Sequence, residues 1–189
     1  SAMNESERKK WLASMKSDGD TVIFRPFANG ASLKYQAPEP SFLFYHGKKM
    51  TPEVWRELKT FVALAPSFKV SFEAFNDSWV YLTTVDGAFL IYPHLPLAKA
   101  KENLPPTKQV FYTAADFKNR TFGWTKPYLD LVGAGMMVTV SYPIYQGDRL
   151  LGVMCRDITL GQLAEQTLKP VENAGGRLIA LVIDSNGMA

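Results

Sequence analysis

The chain has 189 residues, 47% hydrophobic and 13% aromatic, which is enough for one sizeable core and excludes a disordered protein. Its formal net charge is only +3, and the densest basic clusters are Arg8-Lys9-Lys10 and Lys48-Lys49, so a basic stripe for nucleic acid is not supported. Cys155 stands alone, which rules out an internal disulfide, and no pair of Cys and His has zinc-site spacing.

No apolar run reaches the roughly 18–20 residues of a membrane helix, and no signal-peptide pattern opens the chain. Ser1-Ala2-Met3 looks like a cloning scar before Asn4-Glu5-Ser6-Glu7. Residues 4–17 place Trp11, Leu12 and Met15 at helical spacing in a charged background, predicting a short amphipathic helix. The stretch Thr21 to Pro40 is broken by Pro26, Gly30, Pro38 and Pro40, with strand-like pieces such as Thr21-Val22-Ile23-Phe24. Thr51-Pro52-Glu53 has an N-cap, an N1 proline and a first-turn acid, predicting a helix through about Leu64. Ser67 to Phe75 alternates loosely and reads as a strand or the approach to one.

The next stretch is the clearest. Ser78 to Val85 is rich in β-branched and aromatic residues, Asp86-Gly87 is a strong hairpin turn, and Ala88 to Pro93 returns as the partner strand. Tyr112 to Phe117 reads as a helix start. A second hairpin runs from Met136 to Tyr145, turns at Gln146-Gly147-Asp148 and returns from Leu150 to Ile158. Leu160, Leu163, Ala164 and Leu168 share one helical face, in a helix expected to stop before Pro170. Gly176 to Asp184 reads as a buried strand followed by a turn at Ser185-Asn186-Gly187, which suggests a piece cut from a longer protein. Two hairpins impose antiparallel pairing, so the predicted class is α+β with helices flanking an antiparallel sheet.

Few constellations carry chemistry. There is no Gly-x-Ser-x-Gly elbow, and neither His46 nor His94 has a partner placed to orient it. Gly133-Ala134-Gly135 precedes a strand, whereas a phosphate cradle opens a helix. Cys155, inside an apolar strand, reads as a buried inert thiol. Tyr112, Arg120, Trp124, Tyr128 and Asp130 gather in a segment of loops and helix ends, a composition that suits a concave small-molecule site in which Arg clamps a carboxylate. The same residues also suit plain packing, with Trp124 and Tyr128 on the flank of the sheet and Arg120 paired to a nearby acid; residue types alone favour that reading. Asp157 interrupts an otherwise apolar strand. It serves either as a cap for the following helix or as the partner of a ligand ammonium.

Taken together, the motifs resemble the Cache sensor domains, in particular the membrane-distal half of double-Cache domains. The resemblance rests on Val80-Tyr81-Leu82 running into Asp86-Gly87, Ile91-Tyr92-Pro93, Trp124-x-x-Pro127-Tyr128-x-Asp130, Thr139 to Tyr145, and Leu151-Gly152-Val153 leading to Asp157-Ile158-Thr159-Leu160. It implies a PAS-like fold with an N-terminal helix and a ligand pocket on one sheet face. It also implies the extracytoplasmic, periplasmic part of a membrane-anchored bacterial receptor of chemoreceptor, histidine-kinase or cyclase type, dimerising through the N-terminal helix. The expected partner is a small polar ligand such as an amino acid, carboxylate or amine, with no cofactor, metal, catalytic residue or nucleic acid. The alternative is a PAS-like dimerisation module without an exogenous ligand. By this resemblance the ligand-binding set is Tyr112, Arg120, Trp124, Tyr128, Asp130, Tyr142, Tyr145 and Asp157. One spacing departs from the amino-acid-binding pattern of Arg-x-Trp-Tyr: Thr121, Phe122 and Gly123 separate Arg120 from Trp124. The expected divisions are an N-terminal elaboration over 1–75, the sensor module over 76–170, and the start of a second module over 171–189.

Overall fold

Antiparallel pairing organises the whole sheet. The computed structural model describes residues 15–18, 21–24, 41–45, 52–75, 77–95, 105–130 and 134–172. Strands β1 (Met15–Asp18), β2 (Thr21–Phe24) and β3 (Ser41–Tyr45) pair in antiparallel succession. The helix expected over 4–17 therefore gives way to a strand at its end, and its residues 4–14 lie outside the described residues. Pairing to β2 supplies Met15–Asp18 with the backbone partners that a marginal isolated helix lacks.

Helix α1 (Pro52–Phe75) opens with its proline, as expected, but runs eleven residues past Leu64 and absorbs the segment read as a strand. Pro66 lies inside it and removes one backbone donor. The apolar spacing decides the outcome: Leu64, Phe68 and Phe72 recur every four residues, with Phe68 buried and Phe72 meeting the Tyr92 ring edge-on at 5.6 Å. Burying such side chains contributes about 1.5–3 kcal/mol each, comparable to the cost of the proline.

The first hairpin forms as expected from β4 (Trp79–Thr84) and β5 (Ala88–Tyr92). Its turn places Gly87 at φ 83°, the left-handed region that favours glycine, with the Gly87 N–H donating to the Thr84 carbonyl at 3.0 Å. Asp86 is exposed as the turn chemistry implies, but Gly87 is buried rather than exposed. A 3-10 turn (Pro106–Lys108) then leads into the short helix α2 (Val110–Thr113). The helix read from Tyr112 to Phe117 thus starts earlier and stops at Thr113. Asp116 ends any continuation by accepting hydrogen bonds from the Asn119 backbone N–H (2.9 Å) and side-chain amide (2.7 Å).

Two-residue strands β6 (Gly123–Trp124) and β7 (Tyr128–Leu129) both pair with β8 (Met136–Gln146), which forms the second hairpin with β9 (Arg149–Thr159). The chain leaves through α3 (Leu160–Glu172), which continues past Pro170 instead of stopping before it. Its start is a capping box. The Gln162 N–H donates to Thr159 Oγ1 at 3.1 Å, while Gln162 Oε1 accepts from the Thr159 N–H at 3.0 Å. The strand read at Gly176 to Asp184 lies outside the described residues.

The sheet order is β1-β2-β3-β5-β4-β9-β8-β6, with β7 also on β8. The return strand of the second hairpin inserts beside the first strand of the first, so β4 and β9 are central. The fold is α+β and PAS-like. Where β9 crosses β4 the backbones approach closely: a Cβ on Gly152 would collide with the Thr83 carbonyl. One face of the sheet packs α1. The other carries Tyr81, Phe89, Ile91, Met137, Val153 and Cys155, which form the core with Phe111 and Tyr112 of α2.

Candidate functional site

Strand alternation and register bring four oxygen-bearing side chains together on the inner face. Thr139 of β8 lies directly opposite Asp157 of β9, and Tyr81 of β4 lies opposite Cys155, one diagonal step away. Tyr128 of β7 enters from Met137, its opposite on β8. The Tyr81 hydroxyl donates to Asp157 Oδ1 at 2.8 Å, and the Thr139 hydroxyl donates to the same oxygen at 2.6 Å. Thr139 has only that one proton, so across the 2.8 Å contact between Tyr128 and Thr139 the tyrosine is the donor. Three hydroxyls thus point their protons, directly or in relay, at one carboxylate oxygen.

Asp157 is 6% exposed, and among the described residues no cation pairs with it. Burial pushes its carboxyl up to about 7; the Thr139 and Tyr81 hydrogen bonds oppose that rise, while Asp130 and Asp77 add to it. The same burial raises the Tyr81 and Tyr128 hydroxyls, so both remain protonated donors at neutral pH. Cys155 is buried and free, and its thiol is also raised by burial. The Phe111 carbonyl accepts from Ser141 Oγ at 2.5 Å and from Cys155 Sγ at 3.6 Å, which fixes α2 against the inner face.

Of the residues expected to line the site, the structure brings together Asp157 and Tyr128. Tyr112 is buried nearby in the core, its ring 5.9 Å from that of Phe117. Arg120 is turned elsewhere: its guanidinium donates to Asp148 Oδ1 at 2.7 Å and to the Gly147 carbonyl at 3.1 Å, and it stacks 4.6 Å over the Tyr145 ring. Arg120 and Tyr145 therefore brace the turn of the second hairpin, and Tyr145 also donates to the Phe117 carbonyl at 3.3 Å. Asp130 accepts from the Ala134 N–H at 2.7 Å. Trp124 is 58% exposed and lies opposite Val140, on the face away from Thr139, so Trp124 and Tyr128 occupy opposite sides of the sheet. Tyr142, three residues beyond Thr139, is half-exposed on the same outer side. Tyr81 and Thr139 escaped the sequence reading, because a tyrosine and a threonine in a strand look like ordinary sheet formers. Their pairing positions relative to Asp157 would have found them.

Among the described residues, no cluster of His, Cys, Asp and Glu could hold a metal ion, and no helix is long and apolar enough to cross a membrane. The family description "Methyl-accepting chemotaxis protein-like, first PDC sensor domain" matches residues 48–165, more than half of the chain. The chain belongs to this family. It is a chemoreceptor-type sensor domain, and its match begins in the approach to α1 and ends within α3.

The methyl-accepting chemotaxis protein McpC of Bacillus subtilis (strain 168) is 28% identical over 115 residues, which cover 59% of this chain and 17% of that protein. The ligand-binding domain of the Campylobacter jejuni chemoreceptor Tlp3 in complex with 4-methylisoleucine is similar in structure, with a TM-score of 0.50 and 25% identity. That match covers 64% of this chain and 46% of the Tlp3 chain. The ligand-binding domain of the Pseudomonas aeruginosa PAO1 amino acid chemoreceptor PctC in complex with GABA aligns at 27% identity and a TM-score of 0.40, over 52% of this chain and 42% of that one. The PDC domain described here thus spans less than half the length of either receptor domain.

Proposed function

We propose that this PDC domain senses a small organic molecule bearing a cationic nitrogen, an amine or an amino acid, which pairs with Asp157. One observation carries the reading: a buried acid is surrounded by three hydroxyls and by no countercharge among the described residues. A buried carboxylate left without a cation is costly, and a ligand ammonium relieves that cost. The relatives support the ligand class, since the Tlp3 and PctC structures hold 4-methylisoleucine and GABA. In this proposal the domain binds without catalysis, lies outside the cytoplasm in a membrane-anchored receptor, and forms a homodimer through helical contacts. The family is that of a first sensor module, which supports reading residues 171–189 as the approach to a second. Arg120, held by Asp148, is not assigned a ligand carboxylate in this reading.

The test is a thermal-shift screen of amines and amino acids at pH 8, because binding to the native state alone raises the melting temperature. Compounds that stabilise the wild type are expected to lose the effect in Asp157→Asn. Undiminished shifts in that variant, or shifts from anions alone, would overturn the proposal. A second reading, an interaction module, draws on one observation: Trp124, Leu129, Met136 and Tyr142 expose apolar surface near the β6 edge of the sheet. A stable dimer that no compound perturbs would favour it.

A further inference from the structure

The oxygen atoms of Asp157 are not equivalent. Oδ1 receives both the Tyr81 and Thr139 hydroxyl protons, whereas among the described residues no hydrogen bond reaches Oδ2. A carboxylate oxygen has two lone-pair sites, so Oδ1 is saturated and Oδ2 is open to a donor. Tyr128 reinforces the arrangement by donating to Thr139, which keeps the threonine proton directed at Asp157.

We infer that Tyr81 and Thr139 are specificity-determining residues that restrict this site to compact ammonium groups and exclude guanidinium groups. The inference rests on the proposed pairing of Asp157 with a cationic nitrogen. A guanidinium binds a carboxylate through two parallel N–H bonds, one to each oxygen, and the donors already on Oδ1 block that geometry. An ammonium needs only one bond to Oδ2. Its other protons can meet phenol oxygens, and those of Tyr81 and Tyr128 each donate one proton and keep lone pairs to accept. The two phenols and the threonine hydroxyl form one hydrogen-bonded group on the Oδ1 side of the acid. The residues thus act through the free valence they leave on Asp157, as well as through the acceptors that they present.

The experiment is calorimetric titration at pH 8 of the wild-type domain with two matched pairs, butylamine against butylguanidine and putrescine against agmatine. The ammonium member of a pair is expected to bind at least about tenfold more tightly than its guanidinium counterpart, the scale at which a site with fixed polar partners rejects a mismatched donor set. Thr139→Val keeps the side-chain shape and frees one lone pair of Oδ1, so it should narrow that ratio to about threefold or less. Tyr81→Phe makes the same change from the other strand and serves if the valine variant does not fold. If guanidinium binds the wild type as tightly as ammonium, and both are lost in Asp157→Asn, the inference is wrong while the cation reading stands. If no member of either pair binds through Asp157, this inference falls, and the cation reading falls too if no amino acid stabilises the wild type more than Asp157→Asn in the thermal-shift screen.

Discussion

Two buried acids flank the end of β9, and they are treated in opposite ways. On the outer face, Asp77 is 7% exposed and takes a two-pronged contact from Arg156, with Nε at 2.8 Å and Nη2 at 2.9 Å from its oxygens. Arg156 also lies 4.1 Å over the Phe75 ring at the end of α1. On the inner face, the very next residue, Asp157, is as deeply buried and has hydroxyls only. The outer acid is complete within the chain and joins α1 to the sheet. The inner acid lacks a countercharge among the described residues, and the proposed function assigns that charge to a ligand. Strand alternation puts Arg156, which holds Asp77, and Asp157 on opposite faces, so the two hydrogen-bond sets can be altered one at a time.

The largest expected effect lies in the pH dependence of the inner acid. Asp157 is raised in the folded state from an ordinary carboxylate value to about 7, so between about pH 4 and pH 7 the native state binds more protons than the unfolded chain. Its contribution to stability must therefore fall as pH rises through that window and stay flat above it, by on the order of 4 kcal/mol in all. Denaturant unfolding should find Asp157→Asn more stable than the wild type at pH 8 and the advantage gone near pH 4. A difference curve that does not vary with pH would show that burial does not raise Asp157 and would remove the contrast.

Removing the outer acid should change stability with the opposite sign. Asp77→Ala leaves Arg156, about one-third exposed, without its partner, and should destabilise by about 2–3 kcal/mol near neutral pH. Ligand affinity should change little, because the lost contact faces α1. Measured by chemical denaturation and titration together, a large affinity loss in this variant would mean that the faces are coupled.

The smallest effect concerns the helix that follows both acids. Gln162 Oε1 accepts from the Thr159 N–H and hydroxyl and from the Ser78 hydroxyl, and the Ser78 N–H donates to the Asp157 carbonyl at 2.7 Å. Gln162→Ala should cost about 1 kcal/mol of stability through the lost cap, with hydrogen exchange rising first in the opening turn of α3. Unchanged exchange there would show that the cap is not what fixes the helix start.

Much of this contrast was legible in the sequence, but not its geometry. Asp86-Gly87 between two β-rich runs determines the first hairpin, and Asp157 stands out because it breaks an apolar alternation. The extent of α1 was hidden by Pro66, whose local cost is outweighed by Phe68 and Phe72 against the sheet. Arg120 drew attention as a carboxylate clamp, yet Asp148 in the neighbouring hairpin turn holds it, a contact visible only once β8 and β9 are paired. Tyr81 and Thr139 could not be singled out by residue type, since register alone brings them to Asp157. The meander β1 to β3 matched no motif because its pairing partner, β5, lies far along the chain.

The central claim is that Asp157 is a buried acid awaiting a countercharge, and carboxyl carbon NMR titration of Asp157 tests it most directly. In the free domain the resonance should titrate near 7, and saturation with a bound ammonium should move the midpoint well below that value, since a nearby cation favours the charged form. A midpoint near that of an ordinary aspartate in the free protein, or one that bound amine leaves in place, would contradict it.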